Sequence, residues 1–314
     1  MTDPTTPRLN RVVVAIDFSE ASSRAATWTA RQFAREVQLV FVHVLERPPM
    51  PRFLAKRYPS TEQIIEAARA GADERLRTLV DRIATSLVWP EVRIGRTDEE
   101  VVRVAAEYEA DLIVVGRAEL HPNGWGRVGT TAQRILRRSR LPVVVAAGAS
   151  LDATSRSPAQ VLVAVDDSGM TTPVLTWGAF LADRFAADAT VLHVLNPPVF
   201  PGASALPGIL LHPDAPASGA TPDLEAEAAA EAQEWLEQRV RSSAAASRMT
   251  PKVISGGARP AETIIEAARR LGGDGAMIVM GSRGSGLADR LLFGSVAEAV
   301  LRDAPCPVLV VVPP

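Results

Sequence analysis

The sequence predicts an α/β protein built from two tandem units, each a five-stranded, doubly wound parallel sheet with helices on both faces. Three observations carry that expectation. First, the chain repeats itself. VVVAIDFS from Val12 matches VLVAVDDS from Val161, Trp28 matches Trp177, VHVL from Val42 matches LHVL from Leu192, and LPVVV from Leu141 matches CPVLV from Cys306. Second, each copy alternates short β-branched runs with longer segments of helical period, the pattern of βαβ crossovers in a parallel sheet. Third, the runs are apolar throughout rather than every second residue, as expected of strands covered on both faces.

The elements follow in order. In the first unit, runs over 11–16, 38–45, 90–94, 111–116 and 142–147 read as strands. Helical segments lie between them near 20–36, 61–86, 97–109 and 129–138. Ser19 follows the first strand and is placed to cap the next helix, and Thr61 marks entry to another. In the second unit the strands are expected near 160–166, 189–195, 251–255, 275–281 and 307–312, and the helices near 170–187, 223–244, 260–271 and 294–303. Ser168 repeats the capping position of Ser19, and Glu225 to Arg239 is a run of strong helix formers. A proline- and glycine-rich connection from Asn196 to Pro222 reads as a surface loop, either an overhanging lid or an insertion without structure. The polar stretch 148–158 reads as a linker, so the expected division is 1–147, linker, and 159–314. The apolar last strands of the two units are expected to pair, between units or between chains, if they lie at sheet edges.

The totals set bounds. At 314 residues with 47% apolar and 22% charged residues, the chain has ample material for two cores. A net charge of −2 gives no overall field to attract nucleic acid or an anionic membrane. One cysteine, Cys306, excludes an internal disulfide framework and a CxxC metal site. The N-terminal MTDPTTPR lacks the apolar core of a secretory signal, and no apolar run reaches the roughly 18 residues of a membrane span. A soluble cytoplasmic protein is expected, with no nucleic-acid or membrane partner.

The chemistry concentrates in one loop, GSRGSGLADRLLFGS, from Gly281 to Ser295. Gly281 ends a strand where glycine permits a close turn. Gly284 presents bare backbone to a ligand, and Gly294-Ser295 opens a helix whose first N–H groups lack internal partners. A phosphate chain suits such a cradle, with Ser282, Arg283 and the Ser295 hydroxyl within its reach. Parallel sheets take ligands at the carboxyl ends of their strands, where Asp17, Asp166 and both loops fall.

In these residues the chain resembles a tandem universal stress protein. The resemblance rests on Asp17 and Asp166, the His-Val pairs, the terminal Pro-Val strands and above all Gly-x2-Gly-x9-Gly-Ser at Gly281, Gly284, Gly294 and Ser295. It covers nearly the whole chain. It implies domains similar to a Rossmann-like, adenine nucleotide alpha hydrolase-like half-fold and a regulatory role in the stress response. It also implies adenosine contacts at Asp166 and Val194, with Ser168 nearby and the glycine loop holding phosphates of ATP, or of AMP or ADP, with Mg²⁺ as a companion ion. It favours a homodimer or pairing of the two units within one chain, and leaves the protein partner unnamed. The first-unit counterparts are Asp17, Val44, Gly116, Gly129 and Thr130. There Glu119 replaces Gly284 and sets a carboxylate beside any phosphate, which predicts weaker nucleotide binding in that unit.

Other signals carry less. GWGRVG from Gly124 matches a dinucleotide fingerprint but begins well beyond its strand, and Thr130 stands where a P-loop would need lysine. His43 and His193 read as packing or hydrogen-bonding residues rather than metal ligands. Cys306 reads as a small buried residue, and Trp28 and Trp177 as core. A slow ATPase or phosphotransferase remains an alternative, although no general base, P-loop lysine or acid pair for a metal is visible, and no catalytic residue is assigned. A scaffold that needs no nucleotide is the other.

Overall fold

A computed structural model describes residues 7–46, 61–83, 87–117, 130–147, 151, 157–195, 221–243, 248–255, 259–282 and 294–313. The first half runs β1 (Arg11–Ile16), α1 (Glu20–Phe33), β2 (Gln38–Leu45), α2 (Thr61–Ile83), β3 (Val88–Ile94), α3 (Thr97–Glu107), β4 (Leu112–Gly116), α4 (Thr130–Arg138) and β5 (Val143–Ala146). The second runs β6 (Gln160–Val165), α5 (Thr171–Phe185), β7 (Asp188–Leu195), α6 (Thr221–Arg241), β8 (Met249–Ser255), α7 (Pro260–Leu271), β9 (Ala276–Gly281), α8 (Ser295–Asp303) and β10 (Val308–Val311).

Each half contributes five strands, and the two sets join into one ten-stranded sheet ordered β3-β2-β1-β4-β5-β10-β9-β6-β7-β8. All pairings within a half are parallel. The junction is antiparallel, with Leu309 opposite Val144 and Val308 opposite Val145. The last strands therefore pair inside one chain, and the sheet is mixed rather than two separate parallel sheets.

The apolar character of the inner strands has a direct cause. Val12, Val14 and Ile16 enter one core layer and Val13 enters the other, and all four are buried. The first layer is covered by α1, α2, α5 and α6, through residues such as Trp28, Leu76, Leu181 and Leu236. The second is covered by α3, α4, α7 and α8, through Val104, Ile135, Ile264 and Val300. Both layers run across the junction. The outer strands differ: β3 carries Pro90, Glu91, Arg93 and a half-exposed Trp89, and β8 carries Pro251 and Lys252. Prolines and charges at sheet edges discourage further strand addition.

The halves also meet outside the sheet. Phe33 and Phe185 rings lie 6.0 Å apart, and Arg184 pairs with Glu36 at 2.9 Å. On the opposite face, Gln133 Nε2 donates to Glu298 Oε1 at 3.2 Å. Arg117 follows β4 and donates through Nη1 to the carbonyls of Leu301, Arg302 and Ala304 at the end of α8. A cation there complements the helix dipole and satisfies carbonyls that the helix leaves unpaired.

Two expectations need correction. Trp28 is fully buried, but Trp177 is only partly buried against the first core layer. Ser19 caps α1 by accepting from Ser22 N, whereas α5 begins three residues beyond Ser168, after Met170. Ser168 instead accepts from Met170 N and donates to Asp166. The Ser168-Gly-Met turn is longer than the Ser19-Glu turn, and this moves the helix start. The polar stretch 148–158 also contains Leu151, which is buried in the core.

Candidate functional site

In each half the strand order reverses direction at the first strand, between β1 and β4 and between β6 and β9. Open parallel sheets place their ligand crevice at such a switch point.

The first-half crevice holds a cavity of about 320 Å³, near the lower end of the range for small-ligand pockets. Asp17, Ser19, Ser22, Val44, Thr97, Gly116, Thr130 and Thr131 line it over an apolar floor that includes Val42, Val115 and Ile135. Four of the five first-half residues expected from sequence are thus gathered at one place. The fifth, Gly129, lies outside the described residues, as do Glu119 and the GWGRVG segment.

Local chemistry fixes Asp17. Its Oδ1 accepts from Ser19 N at 2.9 Å and from Ser19 Oγ at 2.5 Å, and its own N–H donates to Ser22 Oγ at 3.3 Å. Burial works to raise this carboxyl, but the serine hydrogen bonds outweigh it and hold Asp17 below the usual carboxylate range. Beside the lining residue Thr97, Glu46 Oε1 accepts from Thr97 N at 3.2 Å and Oγ1 at 2.7 Å, and the Glu46 carboxyl is lowered by those bonds. Gly116 has a packing reason of its own. A Cβ there would sit 2.8 Å from the Ala21 carbonyl carbon and 2.9 Å from Ser22 N. Its lack of a side chain lets α1 approach β4, whatever else the position does.

In the second half, Asp166 directly follows β6, Val194 lies on β7, and Gly281 is the last residue of β9. Val165 pairs with His193 and Ala164 with Met280. Continuing those registers sets Asp166 between Val194 and Ser282 at the carboxyl edge. The Gly294 N–H donates to the Ser282 carbonyl at 3.0 Å, which ties the strand exit to the start of α8. Ser282 is buried. Gly281, Ser282, Gly294 and Ser295 are therefore neighbours, although eleven residues of chain separate the two pairs. Arg283, Gly284 and the connection 196–220 lie outside the described residues.

The histidines are structural in both halves. His43 Nδ1 lies 2.7 Å from the Ile16 carbonyl and His193 Nδ1 lies 3.0 Å from that of Val165. Cys306 is buried, and burial pushes its thiol up to about 12. Among the described residues no cluster of His, Cys, Asp and Glu suits a metal ion, and no helix is long and apolar enough to cross a membrane. Thr97 and Ser22 were not singled out from sequence. Thr97 sits just after a strand-ending Gly95-Arg96 turn, which is a usable signal, whereas the contact of Ser22 with Asp17 depends on the cap geometry.

With this geometry in view, comparison with known proteins decides the family. The model of the Universal stress protein family matches residues 8–147 and again 159–312. The chain belongs to the universal stress protein family. It is 27% identical over 322 residues to universal stress protein Rv2005c of Mycobacterium tuberculosis, covering 95% of this chain and 96% of that protein. It is 33% identical over 152 residues to universal stress protein YxiE of Bacillus subtilis, covering 48% of this chain and 97% of the relative. In fold it is similar to the crystal structure of a universal stress protein from Archaeoglobus fulgidus, with a TM-score of 0.61 at 18% identity, 96% of this chain and 98% of the other being covered. The tandem universal stress protein arrangement read from the repeats is thereby established, as is the α/β architecture.

Proposed function

We propose that this universal stress protein binds ATP, chiefly in its second half, and acts as a regulator in the stress response rather than as an enzyme. One observation carries the reading: the intact Gly281-x2-Gly284-x9-Gly294-Ser295 loop has its two ends hydrogen-bonded together beside Asp166, at the switch point of the sheet. Exposed amides at the start of α8 favour phosphate oxygens. Asp166, Ser168 and Val194 face the adenosine part, and Ser282 and Arg283 flank the phosphates. When bound, Mg²⁺ neutralises phosphate charge, held mainly by the phosphates themselves. Division of the chain at 148–158 lets each half keep its own crevice.

The cavity beneath Asp17 and Val44 favours a second reading, in which the first half also accepts the adenosine part of a nucleotide. Glu119 then limits how well the phosphates are held there.

Titration of ATP into the full chain, followed by calorimetry, tests the assignment. Wild type is expected to show one tighter site. Gly284→Glu, which gives the second loop the residue of the first, is expected to lose at least tenfold in affinity, about 1.4 kcal/mol. Wild-type affinity in that variant would exclude the loop.

A further inference from the structure

Phe18 is the one aromatic residue among the described residues with a left-handed backbone, at φ 62°. Such a conformation costs a non-glycine residue on the order of 1–3 kcal/mol and persists only where the surroundings hold it. They do so here. The Phe18 ring packs against His43 with centroids 4.3 Å apart and planes tilted by 40°, and the Arg75 guanidinium lies 4.1 Å over the same ring. His43 lines the Asp17 cavity, while Phe18 lines a second cavity, of about 300 Å³, between α1 and α2. The packed pair thus has one ring on each cavity.

The second cavity has a composition of its own. Ser23 comes from α1, and Glu74, Arg75, Thr78, Leu79 and Arg82 come from α2. Positions 75, 78, 79 and 82 form one helical stripe, so α2 turns two guanidinium groups, a hydroxyl and a leucine toward the cleft. About half of the arginines among the described residues have a carboxylate within 4 Å. Among the described residues Arg75 and Arg82 have no such carboxylate partner, and Arg75 rests on an aromatic ring. The α-carbons of residues seven apart on a helix are separated by about 10 Å along its axis, a span that two anionic groups of one small molecule can bridge. Glu74 at the same cleft accepts hydrogen bonds but repels anions, so it selects for a ligand that also carries hydroxyl donors. The described residues of the second half differ at this place: Asp167 replaces Phe18, and Trp235 of α6 packs on His193 at 5.1 Å.

We propose that the cleft between α1 and α2 of the first half is a binding site for a small hydroxylated polyanion, a hydroxy-polycarboxylate or a sugar phosphate. Arg75 and Arg82 hold its acidic groups, Ser23 and Thr78 add hydroxyls, and the Phe18 ring supplies an apolar wall. Arginine suits this task because its planar fork pairs with carboxylate or phosphate through two parallel bonds. The site is separate from the glycine loop, so it stands or falls independently of ATP binding in the second half.

The test is calorimetric titration of citrate, glucose 6-phosphate and inorganic phosphate, each into the full chain at low ionic strength. Citrate or glucose 6-phosphate is expected to bind at one site, at least tenfold more tightly than inorganic phosphate, and the preferred probe identifies the class. Arg75→Ala/Arg82→Ala is expected to weaken that probe by more than tenfold while ATP affinity stays unchanged. Thr78→Asp, which sets a carboxylate between the two guanidinium groups on an exposed helix face, is expected to do the same. Thermal melting without ligand confirms that the variants are folded. Absence of binding to wild type, or binding that survives both variants, overturns the site. Loss of ATP binding in Gly284→Glu leaves it untouched.

Discussion

The two halves share one architecture but divide its features. The second keeps the glycine spacing intact, from Gly281 to Ser295, whereas the first has Glu119 in that pattern and yet forms a lined cavity under Asp17, Val44 and Gly116. Loop spacing and cavity formation are therefore separate properties. The spacing depends on a few residues that must leave backbone bare. The cavity depends on how β1, β2, β4 and α4 pack, and that packing survives a substitution in the loop. Gly116 makes the point, since the backbone of α1 requires a glycine there without any ligand. A glycine motif can thus be half structural, and only the rest of it reports on binding.

The tryptophans give the largest expected contrast between the halves. Trp28→Ala removes a fully buried side chain and is expected to cost about 3–5 kcal/mol. Trp177→Ala, at the matching but partly exposed position, is expected to cost less than half as much. Chemical denaturation of both variants measures this, and equal losses would show that the two tryptophan positions do not differ in burial as described.

Arg117 comes next. It crosses from the first half to three carbonyls of α8, while its counterpart Ser282 holds the other end of the same helix through Gly294. Arg117→Ala is expected to destabilise the protein by about 1.5–3 kcal/mol, the range for hydrogen bonds to charged groups. It should also speed hydrogen exchange in α8 more than in α4. Uniform acceleration of both helices would remove the asymmetry.

The smallest effect concerns acid. The folded-state carboxyl of Asp17 lies below its ordinary 3.8. Its contribution is fully present above that value and is lost as pH falls through the depressed one. Wild type should therefore exceed Asp17→Asn in stability by a constant margin near neutral pH, and the margin should close below about pH 4. A margin that widened in acid would reverse the sign of the assignment.

Much of this was legible in the chain. The β-branched runs located all ten strands, because a strand buried on both faces has no alternative to apolar side chains. The repeat revealed the tandem plan, and Asp17, Asp166, Gly116 and Gly281 fall at strand ends, as the strand pattern predicts. Less accessible were the start of α5, displaced from Ser168 by a longer turn, and the strained Phe18, whose backbone is held by His43 and Arg75 from other elements.

By itself, then, the sequence determined what local periodicity controls: the elements, their order, the parallel sheet in each half and the residues at the strand ends. Tertiary structure alone decided that β5 and β10 pair within one chain, that Arg117 of one half seals a helix of the other, and that Arg75 and Arg82 line a cleft with no carboxylate partner among the described residues. These depend on contacts between residues far apart in the chain, and the local pattern around each residue is the same whether or not such a contact forms.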